Sequence, residues 1–127
     1  MADFDELKAA VIEKQDIVLN KLTELSYKEL IQLVASLSAI VGNLENMYAI
    51  SEHLCNKIIA EQMIQDYRTS FAKAEAVMKS SENYVKSKNI VNLKQCALRA
   101  INLAKIHLQY FIKENINLDT LESSVET

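Results

Sequence analysis

The sequence predicts an all-α protein, an antiparallel four-helix bundle built around one long central helix. The 127 residues include one Gly and no Pro, whereas β folds need both residues at their turns. Apolar residues also recur at intervals of three or four from position 30 to 58, which places them on one broad helix face. Thirteen positions form this face, and all but Ser51 are apolar: Leu30, Leu33, Val34, Leu37, Ile40, Val41, Leu44, Met47, Tyr48, Ser51, Leu54, Cys55 and Ile58.

Helix 1 is predicted from about Asp3 to Glu24. Asp3 can cap its first turn, and Asp5 and Glu6 suit the positive end of the helix dipole. One apolar stripe runs along it, made by Phe4, Leu7, Val11, Val18, Leu22 and Leu25.

Helix 2 is predicted over about 27–66. Ser26 and Glu29 fit a capping box immediately before the apolar run. Gly42 is the one place where the helix could break, because Gly is unfavourable in a helix interior. The apolar register continues in phase across it, so we predict an unbroken helix in which Gly42 permits the close approach of a partner backbone.

The rest of the chain is predicted to form a helical hairpin and a tail. Helix 3 covers about 69–86 and ends at the polar segment 87–89, and helix 4 covers about 90–114. The residues 115–127 are polar and acidic, which is typical of a disordered tail. We therefore predict one helical domain over 1–114, followed by this tail.

Charge is unevenly distributed. The net charge is −6 over 1–66, +7 over 67–113 and −4 over 114–127. Helical spacing predicts one basic stripe on helix 3 and another on helix 4, which together make a candidate nucleic-acid face. Only two residues of the chain are Arg, and aromatic residues do not alternate with the lysines as stacking platforms would. The residues of this face are Arg68, Lys79, Lys86, Lys94 and Lys105.

No catalytic or metal-binding pattern stands out. His53, Cys55, Cys96 and His107 do not have the spacing of zinc or di-iron sites, so we predict no metal and no cofactor. The two cysteines suit a reduced intracellular protein. Arg99 and His107 resemble the Arg-then-His motif of helical HEPN ribonucleases, but their spacing is wider, and we predict that the protein is not an enzyme.

The expected function is that of a non-catalytic protein–protein interaction module: an adaptor, a small assembly subunit or an inhibitor of a larger complex. The alternative is a small helical subunit that holds nucleic acid. The column Leu33, Ile40, Met47 and Leu54 is the predicted partner interface, because helix 1 is too short to cover helix 2, and a homodimer is expected. We expect a cytoplasmic protein of a prokaryote or mobile element, without a membrane span.

Overall fold

The chain folds into α-helices, as predicted. The computed structural model describes the backbone of residues 3–126 and the side chains of residues 3–114. No β-strand occurs in this part of the chain, so the all-α bundle with a long helix is confirmed. The elements are α1 (Phe4–Asn20), a 3₁₀ turn (Leu22–Glu24), α2 (Tyr27–Gln65), α3 (Phe71–Lys79) and α4 (Glu82–Glu126).

The predicted caps are present at the first two helices. The Asp3 carboxylate accepts a 2.8 Å hydrogen bond from the Glu6 backbone N–H. Ser26 and Glu29 form the reciprocal capping box, with both hydrogen bonds at 3.2 Å. α1 ends at Asn20, earlier than the predicted Glu24, because the chain tightens into the 3₁₀ turn before it reverses into α2.

α2 is continuous through Gly42, as predicted. It has 39 residues and is therefore about 58 Å long at about 1.5 Å per residue. Nothing within the described chain requires this Gly, since a β-carbon placed on Gly42 would find nothing within 4 Å. No backbone of the described chain approaches it closely.

The boundary between the third and fourth helices differs from the prediction. The break lies at Ser80–Ser81 rather than at 87–89. The Ser80 hydroxyl donates to a carbonyl of the last turn of α3 at 2.7 Å, and the Ser81 hydroxyl accepts from the Tyr84 N–H at 3.3 Å. This serine pair thus ends α3 and caps α4.

Ser87 does not interrupt α4, although its polarity led us to predict a break there. The side chain is buried, and its hydroxyl donates to the Tyr84 carbonyl of the preceding turn at 3.2 Å. A serine satisfied in this way can occupy a core position. α4 is consequently a second long helix of 45 residues, where we predicted only one. The backbone of residues 115–126 continues this helix. The side chains of the predicted tail lie outside the described residues.

α2 and α4 form the main antiparallel pair, with α1 and α3 packed on opposite ends of α2. Three contacts fix the register of the pair: the Tyr27 and Phe111 rings at 5.6 Å, Glu45 with Lys94 at 3.3 Å, and Ser51 with Asn83 at 3.0 Å. α1 lies in the trough between α2 and α4 and runs antiparallel to α2, since Phe4 lies near Met47 and Ile17 lies near Leu33. α3 packs on α2, and it lies toward the C-terminal half, since it connects the end of α2 to the start of α4, where Asn83 meets Ser51.

The core fills the space between α1, α2 and α4. Leu30, Leu37 and Leu44 of α2 and Val11 of α1 are the largest side chains that are fully enclosed. α4 contributes small residues at the same level, Ala97, Ala100 and Ala104, and these allow the helices to pack closely. The core therefore occupies one part of the molecule and leaves the far end of α2 less covered.

Candidate functional site

An open apolar groove lies beyond the N-terminal end of α1. The trough between α2 and α4 continues past Phe4, the first residue of α1, and no helix of the described chain fills it there. Its volume is about 390 Å³. Its apolar lining, which defines the groove below, consists of Phe4, Met47, Ile50, Leu54 and Ile90.

The groove presents apolar surface to solvent. Ile90 is buried and forms its floor, and Phe4 and Met47 are half-buried along its sides. Ile50 is 59% exposed and Leu54 is 37% exposed, both on the α2 wall. Single exposed apolar residues are ordinary, but a concave cluster of them is typical of a binding surface.

Polar groups surround the groove on its α4 side. The Ser51 hydroxyl donates to the Asn83 carbonyl at 3.0 Å and ties the two walls together. Lys86 is exposed at the rim and makes no ion pair within the described side chains. Asp3 also borders the groove, but its carboxylate is engaged in capping α1. The rim thus carries one positive charge, the Lys86 ammonium, and one negative charge, the Asp3 carboxylate.

The structure divides the predicted interface column. Leu33 and Ile40 are buried in the core, because α1 covers the N-terminal half of α2. The prediction that they form a partner surface is therefore wrong. Met47 and Leu54 lie beyond the reach of α1, and both line the groove.

The part of the basic face that was predicted on helix 3 does not lie on a single helix. Arg68 lies in the connection between α2 and α3, Lys79 ends α3, and Lys86 belongs to α4. The prediction placed them on one helix face, and it fails because the chain breaks at Ser80–Ser81.

Carboxylates already pair with two of the predicted basic residues. Lys79 contacts Glu75 at 2.9 Å, and this hydrogen bond, together with the negative charge of Glu75, raises the pKa of Lys79. Lys94 contacts Glu45 at 3.3 Å across the α2–α4 pair. Lys105 is exposed on α4. The cations left for a phosphate backbone are thus fewer and more scattered than the sequence suggested.

The cysteine and histidine residues stay apart. No group of three or more His, Cys, Asp or Glu side chains in the described chain could hold a metal ion. Cys55 is buried, and this burial, with a smaller effect from Glu52, raises the pKa of its thiol. Arg99 and His107 are eight positions apart on α4, about 12 Å along its axis at about 1.5 Å per residue.

α2 also has the composition of a membrane-spanning helix. It contains an 18-residue window with a mean hydropathy of 1.2 and at most two charged residues, so the absence of a membrane span stays a prediction. The core helix of a soluble bundle meets the same criterion. Here 22% of that window is buried in the bundle, so packing against α1 and α4 accounts for only part of its hydropathy.

Sequence reasoning missed three members of the groove. The periodicity assigns Phe4 to the apolar stripe of helix 1 and Ile90 to the start of helix 4, and Ile50 lies outside the apolar face of α2. The signal that could have found them was the difference in length between helix 1 and helix 2. Comparisons with protein-family models, with curated proteins and with solved structures found no match to this chain.

Proposed function

We propose that this protein is a non-catalytic helical interaction module that binds an amphipathic α-helix of a partner protein in the groove. The observation that supports this most directly is the exposure of Ile50 and Leu54 at a place where the trough of α1 continues without α1. A module of this kind serves as an adaptor, an assembly subunit or an inhibitor of a larger cytoplasmic complex.

The shape of the groove favours a helix as the ligand. Its two walls, α2 and α4, are the same two helices that hold α1, and α1 fills the trough with Phe4, Leu7 and Val11 at helical spacing. A partner helix that continues the line of α1 meets the same two helices, over residues 47–54 of α2 and 83–90 of α4. Helices recognised in this way place apolar residues at intervals of three and four.

The ammonium of Lys86 favours an acidic side chain at the point where that helix passes α4. Lys86 stands exposed beside the apolar lining, so a carboxylate placed next to the apolar stripe of the partner would meet it. An exposed ion pair contributes only about 0–1 kcal/mol, and its effect is mainly on orientation and specificity. The affinity would come from burying Ile50 and Leu54.

Nucleic-acid binding is the weaker candidate. The five predicted residues lie on several elements, and Lys79 and Lys94 are already paired with Glu75 and Glu45. Binding through several lysines should weaken steeply as salt is raised, whereas binding in an apolar groove should change little.

A peptide selection tests the proposal. A displayed library of helical peptides is selected on the wild-type protein, and the peptides obtained are titrated against wild type, Ile50→Glu and Ile64→Glu. Ile64 is a matched control, because it is the same residue type on α2, is 82% exposed and lies outside the groove. We expect peptides with an apolar stripe and an acid, bound about tenfold or more weakly by Ile50→Glu.

The control variant should bind these peptides as wild type does, and raising the salt to a high concentration should leave the affinity within a few-fold. Peptides that bind Ile50→Glu and wild type equally would show that the groove is not the binding site. Steep loss of binding in salt would instead favour the basic residues.

A further inference from the structure

α1 and α4 share an exposed apolar surface, to which α1 contributes two residues. Ile17 lines a pocket with Leu33 of α2, and Val18 is buried in the core. Because each residue advances about 100° around a helix, Leu19 lies opposite Ile17, on the α4 side of α1. Ile12 lies two turns earlier on the same side. Leu19 is 71% exposed and Ile12 is 54% exposed.

α4 contributes three further residues. Glu45 lies about 200° around α2 from Met47, which lines the groove in the trough of α1. Lys94 contacts Glu45 and therefore lies on the side of α4 away from that trough. Leu103 follows Lys94 by about two and a half turns, so it lies on the opposite side, next to α1. The exposed apolar residues that begin there, at intervals of three and four, are Leu103 (46%), Ile106 (63%) and Tyr110 (61%).

These five residues, called the α1–α4 patch below, lie at matching heights. α1 and α4 both run antiparallel to α2 and are therefore parallel to each other. Phe4 and Ile90 meet in the groove, so a residue of α1 is level with the residue of α4 about 86 positions later. Leu19 accordingly lies level with the part of α4 between Leu103 and Ile106. The patch is one continuous surface across both helices.

Charged residues of opposite sign flank the two halves of the patch. Asp5 and Asp16 are exposed on the patch side of α1, and Lys88 and Arg99 are exposed on the outer side of α4. Each pair is separated by eleven positions, or about three turns, so its two members share one face of their helix. None of the four belongs to an ion pair within the described side chains. A complementary surface therefore has bases opposite α1 and acids opposite α4, and a second copy of the same face has both.

We propose that two copies pair through the α1–α4 patch about a two-fold axis parallel to these helices. The axis lays α1 of each copy across α4 of the other at the same height, so the apolar residues of α1 meet those of α4. Asp16 then lies within about one turn of Arg99 of the other copy, and Asp5 within about one turn of Lys88. These gaps of about 5 Å are within the reach of long basic side chains, and the symmetry makes every contact twice.

A two-fold axis across the helices is disfavoured. It would set α1 against α1 and α4 against α4, which brings Asp16 near acids and Arg99 near bases, and like charges across an interface suppress such a pairing. Lys8 is the one base on the patch side of α1. It is compatible with the parallel arrangement, because it meets the part of α4 around Asn92 and Gln95, which carry no charge.

The size of this face suits a dimer of moderate affinity. α1 has 17 residues and is about 25 Å long, and two helices packed side by side are about 20 Å wide. Pairing would bury about 500 Å² on each copy and about 1,000 Å² in total, which is near the lower limit for a specific interface. We therefore expect a dissociation constant in the micromolar range.

Sedimentation equilibrium of the full-length protein, from low micromolar to several hundred micromolar, tests the dimer. The mass of wild type should rise from 14.4 kDa toward twice that value. Ile106→Glu should weaken the dimer about tenfold or more. Ile64→Glu, the same change at an exposed position of α2 away from the patch, should dimerise as wild type does. Because Ile106 lies outside the groove, this result is independent of the function proposed above.

A charge exchange tests the arrangement of the two copies. Asp16→Lys and Arg99→Glu should each dimerise several-fold more weakly than wild type, since both symmetric contacts then join like charges. An equal mixture of the two variants should form a heterodimer, because one contact joins Lys at position 16 to Glu at position 99 and the other joins the two original residues. Circular dichroism should show the same helix content in all variants, since every changed residue is exposed.

Three results would overturn the proposal. Wild type could sediment as a monomer at all concentrations, Ile106→Glu could dimerise as well as wild type, or the mixture could associate no better than its components. A monomer that sediments with phosphatidylserine vesicles, and loses this binding in Ile106→Glu, would assign the patch to a membrane instead.

Discussion

The two halves of α2 share one pattern of apolar spacing but have different environments. In the half from Tyr27 to Asn46 the buried residues are Leu30, Leu33, Leu37, Ile40, Val41 and Leu44, whereas in the half from Met47 to Gln65 they are Ser51 and Cys55. The apolar register is the same in both halves. The N-terminal half lies between α1 and α4, while the C-terminal half meets the start of α4 and the nine-residue α3.

This difference shows that an apolar helix face is buried only where a neighbouring helix is long enough to cover it. α1 has 17 residues and therefore covers less than half of the 39 residues of α2. The groove is the part of the trough that α1 does not reach. The candidate site thus results from a mismatch in helix length.

The largest expected effect separates the two halves directly. Leu37 is fully enclosed, so Leu37→Ala should lower the free energy of unfolding by about 2–5 kcal/mol through lost burial and a residual cavity. Leu54→Ala, the matched change in the uncovered half, should cost no more than about 1 kcal/mol, because Leu54 is already partly exposed. Urea denaturation measures both, and equal losses would mean that the groove is closed by packing in solution.

A smaller effect of opposite sign is expected where the halves meet. Gly42 is helical, with no positive φ and open space around its α-carbon. Gly42→Ala should therefore raise the free energy of unfolding by about 0.5–1 kcal/mol, through better helix propensity and a less flexible unfolded chain. The reverse change at exposed Ala39 on the same helix should cost a similar amount. A Gly42→Ala variant less stable than wild type would indicate that another backbone contacts this position.

Ser51, near the boundary between the two halves, makes a hydrogen bond whose contribution to stability can be measured. Its buried hydroxyl joins α2 to the Asn83 carbonyl, and such a bond contributes about 0.5–1.5 kcal/mol net. Ser51→Ala should therefore be about 1 kcal/mol less stable than Ser38→Ala, which removes an exposed hydroxyl from the same helix. Thermal or urea unfolding of the pair gives this difference, and no difference would show that the hydrogen bond does not stabilise the α2–α4 contact.

The smallest effect concerns the pH dependence of the covered thiol in the C-terminal half. Burial, and then Glu52, raise the pKa of Cys55 above its usual value of 9.0. In the unfolded chain the thiol ionises first, so its contribution to stability is complete below about pH 9 and is lost as the pH rises through and above that value. Urea melts between pH 7 and 10 should show this loss in wild type and not in Cys55→Ala.

The same thiol should react slowly with a thiol reagent in the native protein, because the thiolate is the reactive form. Cys96, which is half-buried, should react faster than Cys55. Rapid labelling of Cys55 in a Cys96→Ala background would contradict its burial.

Local chemistry was predictable wherever neighbouring residues decide the structure. Asp3 caps α1, and Ser26 with Glu29 caps α2, because a cap needs only a side-chain oxygen and the backbone three residues on. The boundary between α3 and α4 was not predictable in this way. Serines occur at both 80–81 and 87, and only packing decides which of them ends a helix and which is buried.

The helical class, the caps and the unbroken course of α2 follow from the residues alone, since helical periodicity, turn residues and capping are local properties of the chain. Tertiary structure alone decided which part of the apolar face of α2 is core and which part is surface. Leu33 and Leu54 occupy the same apolar face, and the periodicity treats them alike. α1, which begins at Phe4, covers Leu33 and does not reach Leu54. Burial thus depends on the reach of a neighbouring helix and not on the residue itself.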